Sequence, residues 1–114
     1  ARAKEKMTEF NQMKRYKNEL FSLISNILVL QLEKNDLERS LFYYADLEKT
    51  VSASDNKMYE HTMLLFFKEL IAIMQQQEDA QKLTDIMQTF KLLNMDRIAN
   101  QCVGLLEIVR NNNA

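Results

Sequence analysis

The sequence contains no proline and a single glycine, Gly104, in 114 residues. Because proline and glycine make most of the tight turns between β-strands, their near absence argues against a fold of short strands and favours helices joined by short polar loops. No segment alternates apolar and polar residues with a period of two, as a half-buried strand would. With 46% apolar residues, the chain can bury one core. The sequence therefore predicts a single all-α domain over residues 1–114.

The chain is also poor in the residues that carry most chemistry. Its one histidine, His61, cannot build a histidine metal cluster, and its one cysteine, Cys102, excludes an internal disulfide. A phosphate-cradling glycine loop is excluded by the glycine count. We therefore predict no catalytic residue, no metal site and no cofactor, and expect that the protein is not an enzyme. Cys102 is expected to act as a small buried hydrophobic residue.

Charge and hydropathy argue against two classes of partner. The formal net charge is −1, with +3 on residues 1–20 and −4 on the remainder. That basic excess is too small for a surface that binds duplex DNA, and the apolar stretch 20–32 is too short to span a bilayer. We expect a cytoplasmic protein without membrane contact. The chain opens directly into a helical pattern without an initiator methionine, so we also expect a fragment of a longer protein.

Apolar periodicity predicts five helices. They cover about residues 13–34, 36–51, 57–76, 78–93 and 95–110. Residues 1–12 either extend the first helix or form the tail of a preceding one. The first and third helices carry apolar residues around most of their circumference, so we expect both to be buried on several sides.

Polar residues mark the ends of these helices. Asn35, with Glu38 three residues later, has the form of a capping box for the second helix. Ser54 or Asp55 can cap the third. Asn94 stands where the fourth helix needs a residue in the left-handed conformation, which asparagine adopts more readily than other non-glycine residues.

The second and fourth helices repeat one pattern. Ser40, Tyr44 and Leu47 are spaced by four and three residues, which places them on one helix face. The same spacing recurs 43 residues later at Leu83, Met87 and Phe90. Repetition of a helical hairpin predicts tetratricopeptide-like hairpins stacked as a short right-handed solenoid, with the fifth helix as a C-terminal cap. Such a fold presents a surface for a partner rather than a pocket for catalysis.

The inner helices of a solenoid line its groove, and a groove of this kind would hold an extended peptide. The predicted peptide-binding residues, from the first and third helices, are Ser22, Ser25, Val29, Leu32, Leu65, Lys68, Ala72 and Gln75. Ser25, Lys68 and Gln75 would hold the peptide backbone or its carboxylate. An alternative is that these residues pack against a neighbouring segment outside the sequence.

The fifth helix has more apolar residues than a single packing seam requires. Val103, Leu106 and Ile108 cannot all share the stripe that caps the stack. Exposed apolar surface of this kind usually marks an interface, and a two-fold contact between identical helices is its commonest form. We therefore predict a homodimer through these three residues.

Three segments resemble the C-terminal region of the Rgg/GadR/MutR regulators. The first is Tyr59–Ile71, where the family has a similar Phe-Leu-Lys-Gly-Leu-Ile, and the second is Ile86–Asn94, where it has a helix ending in Ile-Phe-x-x-Leu-Gly. Glu69 and Asn94 replace the two family glycines. The third segment, Leu37–Lys49, is similar to the family's helix with paired aromatic residues.

The resemblance implies a function. Rgg-like regulators are cytoplasmic transcription regulators of Gram-positive bacteria that join an N-terminal helix-turn-helix domain to a tetratricopeptide-like domain. The latter binds short signalling peptides in quorum sensing and dimerises. No helix-turn-helix is found in this chain, so DNA would be bound only through a domain absent from it. We therefore expect a peptide-sensing, dimerising regulatory domain.

Two other functions remain open from the sequence. The segment 60–65 is faintly similar to the Ala-His-Thr-Leu-Lys-Gly stretch of histidine phosphotransfer bundles, which would make His61 the phosphorylated residue. Against this, Leu64 replaces the lysine that would steady the phosphoryl group. The other alternative is a helical scaffold that binds no ligand.

Overall fold

A computed structural model describes residues 2–51 and 58–114, and within them every side chain except those of 2–14 and 17. The described residues form five helices and no β-strand. The helices are α1 (Arg2–Glu33), α2 (Leu37–Val51), α3 (Met58–Met74), α4 (Ala80–Leu92) and α5 (Asp96–Asn112). None of these described helices is both long and apolar enough to cross a membrane. The predicted all-α class is confirmed for this part of the chain.

The first and third helices are buried to different extents. α1 begins at Arg2 and is 32 residues long, so residues 2–12 extend the first helix. It packs against α2 and α5, but Leu23 and Leu30 are 57% and 51% exposed, so one face of α1 is uncovered. The prediction of burial on several sides therefore holds only in part for α1. It is confirmed for α3, which is the central helix and packs against α2, α4 and α5.

The turns after α1, α3 and α4 share one backbone geometry. Each contains a residue with a positive φ: Asn35 (59°), Gln76 (59°) and Asn94 (58°). In each turn, the amide of the following residue donates a hydrogen bond to the carbonyl five residues before it. These bonds are Asp36 N to Gln31 O (3.0 Å), Gln77 N to Ala72 O (2.7 Å) and Met95 N to Phe90 O (2.9 Å). This is the Schellman motif, which satisfies the last carbonyls of a helix.

The roles of the polar residues at these turns were predicted correctly in one case and wrongly in another. Asn94 adopts the left-handed conformation, as predicted. Asn35 is not the N-cap of α2, because its own φ is positive and it ends α1. The cap is Asp36, whose Oδ1 accepts a hydrogen bond from the Arg39 amide at 3.1 Å. The prediction for Ser54 and Asp55 lies outside the described residues.

The repeated pattern of α2 and α4 corresponds to repeated burial. Ser40 and Leu47 are fully buried in α2, and Tyr44 between them is half-buried. The matching residues of α4 follow the same order, with Leu83 and Phe90 buried and Met87 half-buried. Each helix therefore presents an equivalent stripe to the core.

The last helix does more than cover α3 and α4, because it also packs against α1. Hydrogen bonds fix its C-terminal end to two turns. Arg110 pairs with Glu78 in the α3–α4 turn, and the Asn112 side chain donates to the Glu33 backbone carbonyl at 3.1 Å. The C-terminal ends of α5 and α1 therefore meet. The stacking as a right-handed solenoid with a cap stays a prediction.

Candidate functional site

A cleft of about 480 Å³ lies between α1, α3 and α5, and we call it the α5 cleft. Its size falls in the range of small-molecule and peptide pockets. The lining residues are Ser25, Asn26, Val29 and Glu33 from α1, Tyr59, Met63, Phe66 and Phe67 from α3, and Ile98, Gln101, Cys102, Gly104, Leu105 and Ile108 from α5. Three helices therefore have to pack together before the cleft exists.

The walls of the α5 cleft are apolar, with a few polar groups among them. Ser25, Asn26 and Gln101 supply a hydroxyl and two amides. The Ser25 Oγ is buried and has no hydrogen-bond partner among the described residues. A buried hydroxyl without a partner is unfavourable by about 1–3 kcal/mol. The cleft therefore offers apolar contact together with an unused polar group, which is the combination that an amide-containing ligand needs.

Burial changes the acidity of two groups in this cleft. It raises the pKa of the Cys102 thiol to about 12. It also raises the pKa of the Tyr59 phenol, and the nearby Cys102 and Glu60 add to that shift. Both groups are therefore neutral at physiological pH, and Cys102 is a buried thiol rather than a reactive one. This agrees with the role predicted for it from the sequence.

The high pKa of Cys102 predicts slow modification in the folded chain. At pH 8, we expect an aromatic disulfide reagent to label Cys102 about a thousandfold more slowly in buffer than in concentrated urea, because little thiolate is present when the pKa is about 12 rather than its ordinary 9.0. Absorbance of the released thiol measures the rate. A Cys102→Ala, Gln101→Cys variant is the control, since position 101 is exposed and should react in both conditions. Equal rates for native Cys102 in the two conditions would contradict this prediction.

A second depression of about 430 Å³ lies between α2 and α3, and we call it the α2 depression. It is lined by Tyr44, Glu48, Val51, His61, Leu64, Leu65 and Lys68. Burial raises the pKa of the Tyr44 phenol, with the Glu48 carboxylate adding to the shift by its charge and a hydrogen bond. His61 is exposed here, and Leu64 is buried where a phosphotransfer bundle would carry its lysine.

The predicted peptide-binding residues are divided between these two sites. Ser25 and Val29 line the α5 cleft, whereas Leu65 and Lys68 line the α2 depression on the opposite face of α3. The other four line neither: Ser22 and Gln75 are exposed, Ala72 is half-buried, and Leu32 is fully buried in the core. The structure therefore does not bring the eight residues into one groove, and their role in binding stays a prediction.

The three predicted interface residues are also placed differently from one another. Val103 and Ile108 are 44% and 42% exposed on α5, and Ile108 also lines the α5 cleft. Leu106 is 8% exposed and belongs to the core. Val103 and Ile108 are thus available to a partner, whereas Leu106 packs within the chain.

Sequence reasoning missed the contribution of α5 to the cleft. Gly104 gave a usable signal, because glycine in the middle of a helix is unfavourable by about 1 kcal/mol relative to alanine. A Cβ at this position would meet no described atom within 4 Å, so packing inside the chain does not require the glycine. Gly104 belongs to the lining of the α5 cleft, which a large side chain at this position would narrow.

Comparison with known families gives one match. The family model described as HTH-type transcriptional regulator Rgg, C-terminal domain, matches residues 2–103. No curated protein and no solved structure matches the chain. Among the described residues, no group of three or more histidine, cysteine, aspartate or glutamate side chains is placed to hold a metal ion.

Proposed function

The chain belongs to the family of C-terminal domains of Rgg transcription regulators, and from this premise we propose that it is a regulatory domain that senses a short peptide and dimerises. It is thus a transcription regulator domain, from a family of regulators rather than enzymes. In the proposal, the protein acts in the cytoplasm in quorum sensing, and DNA is bound by the helix-turn-helix domain of the regulator. Its hairpins form a tetratricopeptide-like solenoid.

The α5 cleft is the observation that supports peptide binding most directly. An extended peptide has apolar side chains that need burial and backbone amides that need hydrogen bonds. Tyr59, Met63 and Ile98, which are half-buried and line the cleft, meet the first need. The unpaired Ser25 hydroxyl and the Gln101 amide meet the second.

Leu65 and Lys68, which were also predicted to bind the peptide, lie outside the α5 cleft. Lys68 is exposed in the α2 depression, beside the exposed apolar side chain of Leu65. A peptide longer than the α5 cleft could reach them only by passing around α3. We therefore assign the first contacts to Ser25 and Val29, and test Lys68 separately.

A substitution at Gly104 tests the proposal without disturbing the core. We expect Gly104→Phe to fill the α5 cleft and weaken peptide binding at least tenfold, because its side chain would occupy the space that the peptide needs. Gly104→Ala is the matched control and should bind normally, since a Cβ there meets no described atom within 4 Å. The probe is a set of synthetic apolar octapeptides that each contain one tryptophan, because the chain has none and the peptide fluorescence then reports binding.

The outcomes separate the alternatives. Loss of binding in Gly104→Phe alone supports the α5 cleft, whereas loss in Lys68→Ala alone would move the site to the α2 depression. If no peptide in the set binds, the function is the ligand-free scaffold.

Self-association through α5 is the second part of the proposal. Val103 and Ile108 are exposed apolar side chains on α5, and Ile108 also lines the α5 cleft, so the proposed dimer contact reaches the rim of that cleft. We expect a Val103→Glu, Ile108→Glu variant to sediment as a monomer at concentrations where the unmodified chain is a dimer. The control is Leu92→Glu, because Leu92 is 84% exposed on α4. A dimer that persists in the double variant would exclude Val103 and Ile108 as the dimer interface. Leu106 is not substituted because it is buried, and a change there would alter folding.

A further inference from the structure

The formal charge that lines the α5 cleft is negative. Among the described side chains that line it, Glu33 carries the only formal charge. Arg110, farther along α5, is paired with Glu78. The cleft therefore has a carboxylate to attract a cation, and no lining cation to hold an anion.

The carboxylate lies at one end of the cleft. Glu33 is the last residue of α1, and its backbone carbonyl accepts the hydrogen bond from Asn112 at the end of α5. The C-terminal end of a helix also carries a partial negative charge. The side chain and the helix end therefore both favour a positive group at this position.

The polar groups of α1 are separated along the cleft. Ser25 and Glu33 are eight residues apart on α1, which corresponds to about 12 Å along a helix. Val29 lies midway and lines the cleft between them. An extended chain covers about 12 Å with roughly three to four residues. The cleft wall thus holds a carboxylate, an apolar middle and an unpaired hydroxyl in that order. The hydroxyl is buried in this structure and would reach a ligand after rotation about the Cα–Cβ bond of Ser25.

We propose that the α5 cleft binds the amino-terminal three to four residues of an apolar peptide, with the free α-ammonium group at Glu33 and a backbone amide at the Ser25 hydroxyl. This inference rests on the proposed peptide-sensing function and specifies the ligand of the same site. A lysine side chain would supply the same charge. Its four-carbon stem would hold the peptide backbone away from the carboxylate, and the backbone would then no longer reach both Glu33 and Ser25.

The test compares two forms of one peptide. The probes are Leu-Ile-Trp-Leu-Gly-amide with a free amino terminus and the same peptide acetylated at that terminus, with affinity read from the peptide's tryptophan fluorescence. We expect acetylation to weaken binding about threefold to tenfold, as removal of a partly exposed ion pair does. In Glu33→Gln the two peptides should bind with equal affinity. Glu107→Gln is the control, because Glu107 is exposed on α5 but does not line the cleft, and it should keep the full difference.

Three results would overturn the inference. One is equal affinity of the free and acetylated peptides for the unmodified chain, which leaves peptide binding itself intact. Another is a preference for the free amino terminus that persists in Glu33→Gln. The third is tight binding of an acetylated peptide that begins with lysine, since the cation would then be a side chain. Absence of binding by every form would instead refute the proposed function.

Discussion

Replacement of Phe90 by alanine is expected to lower the free energy of unfolding by about 3–5 kcal/mol. Phe90 is fully buried, and α4, on which it lies, packs against both α3 and α5. Truncating its ring removes apolar contact and leaves a cavity that a bundle of packed helices closes only in part. The free energy of unfolding can be measured from urea titrations followed by circular dichroism.

A neighbouring residue on the same helix provides the control. Leu92 lies two positions later and is 84% exposed, so Leu92→Ala should change stability by no more than about 0.5 kcal/mol. Both substitutions introduce alanine into α4, so the two variants differ chiefly in how deeply the replaced side chain is buried. A loss below about 1 kcal/mol for Phe90→Ala would contradict the packing described for α4.

Substitutions of Glu69 and Lys82 are expected to change stability in opposite directions. Glu69 is 6% exposed in α3. Its Oε1 lies 3.9 Å from the Lys82 ammonium, and its Oε2 is buried without a hydrogen-bond partner among the described residues. Burying a carboxylate with so few partners is unfavourable, so Glu69→Met should raise the free energy of unfolding by about 1–2 kcal/mol.

Replacing Lys82, the partner of Glu69, should instead lower the free energy of unfolding. Lys82→Met removes the ammonium group that lies 3.9 Å from the buried carboxylate, so we expect it to lower stability by about 1 kcal/mol, a modest value because Lys82 is 65% exposed. The double variant should be nearly as stable as Glu69→Met, since no buried charge is left to compensate. Thermal and urea unfolding of the four proteins measure this cycle. If both single substitutions destabilised the chain, Glu69 would be contributing more than its described contacts provide.

Helix number and the equivalent faces of α2 and α4 could be predicted because they follow from spacing within each helix. The role of Asn35 could not be predicted in this way. Asparagine suits both an N-cap and a left-handed C-terminal position, and Asp36 beside it can also cap. The sequence pattern favoured Asn35 as the N-cap of α2. In the structure, Asn35 ends α1 in the left-handed conformation and Asp36 then caps α2.

The α5 cleft could not be predicted in the same way. It depends on α5 packing against α1, and nothing in the spacing of Ile98, Cys102 or Leu105 indicates which distant helix they contact. Burial within α1 has the same limit. Leu23 and Leu28 are equally apolar, but the former is exposed and the latter fully buried, because tertiary contacts decide which stripe faces the core.

The way α5 returns to α1 also bears on how the chain folds. Contacts between helices that follow each other in sequence close short loops, whereas the bond from Asn112 to Glu33 joins residues 79 positions apart. Closing a loop of that length carries the larger entropic penalty, and contacts between distant residues slow folding. We therefore expect the α1–α2 and α3–α4 hairpins to form early and α5 to dock last. The α5 cleft would then form only at the final step of folding.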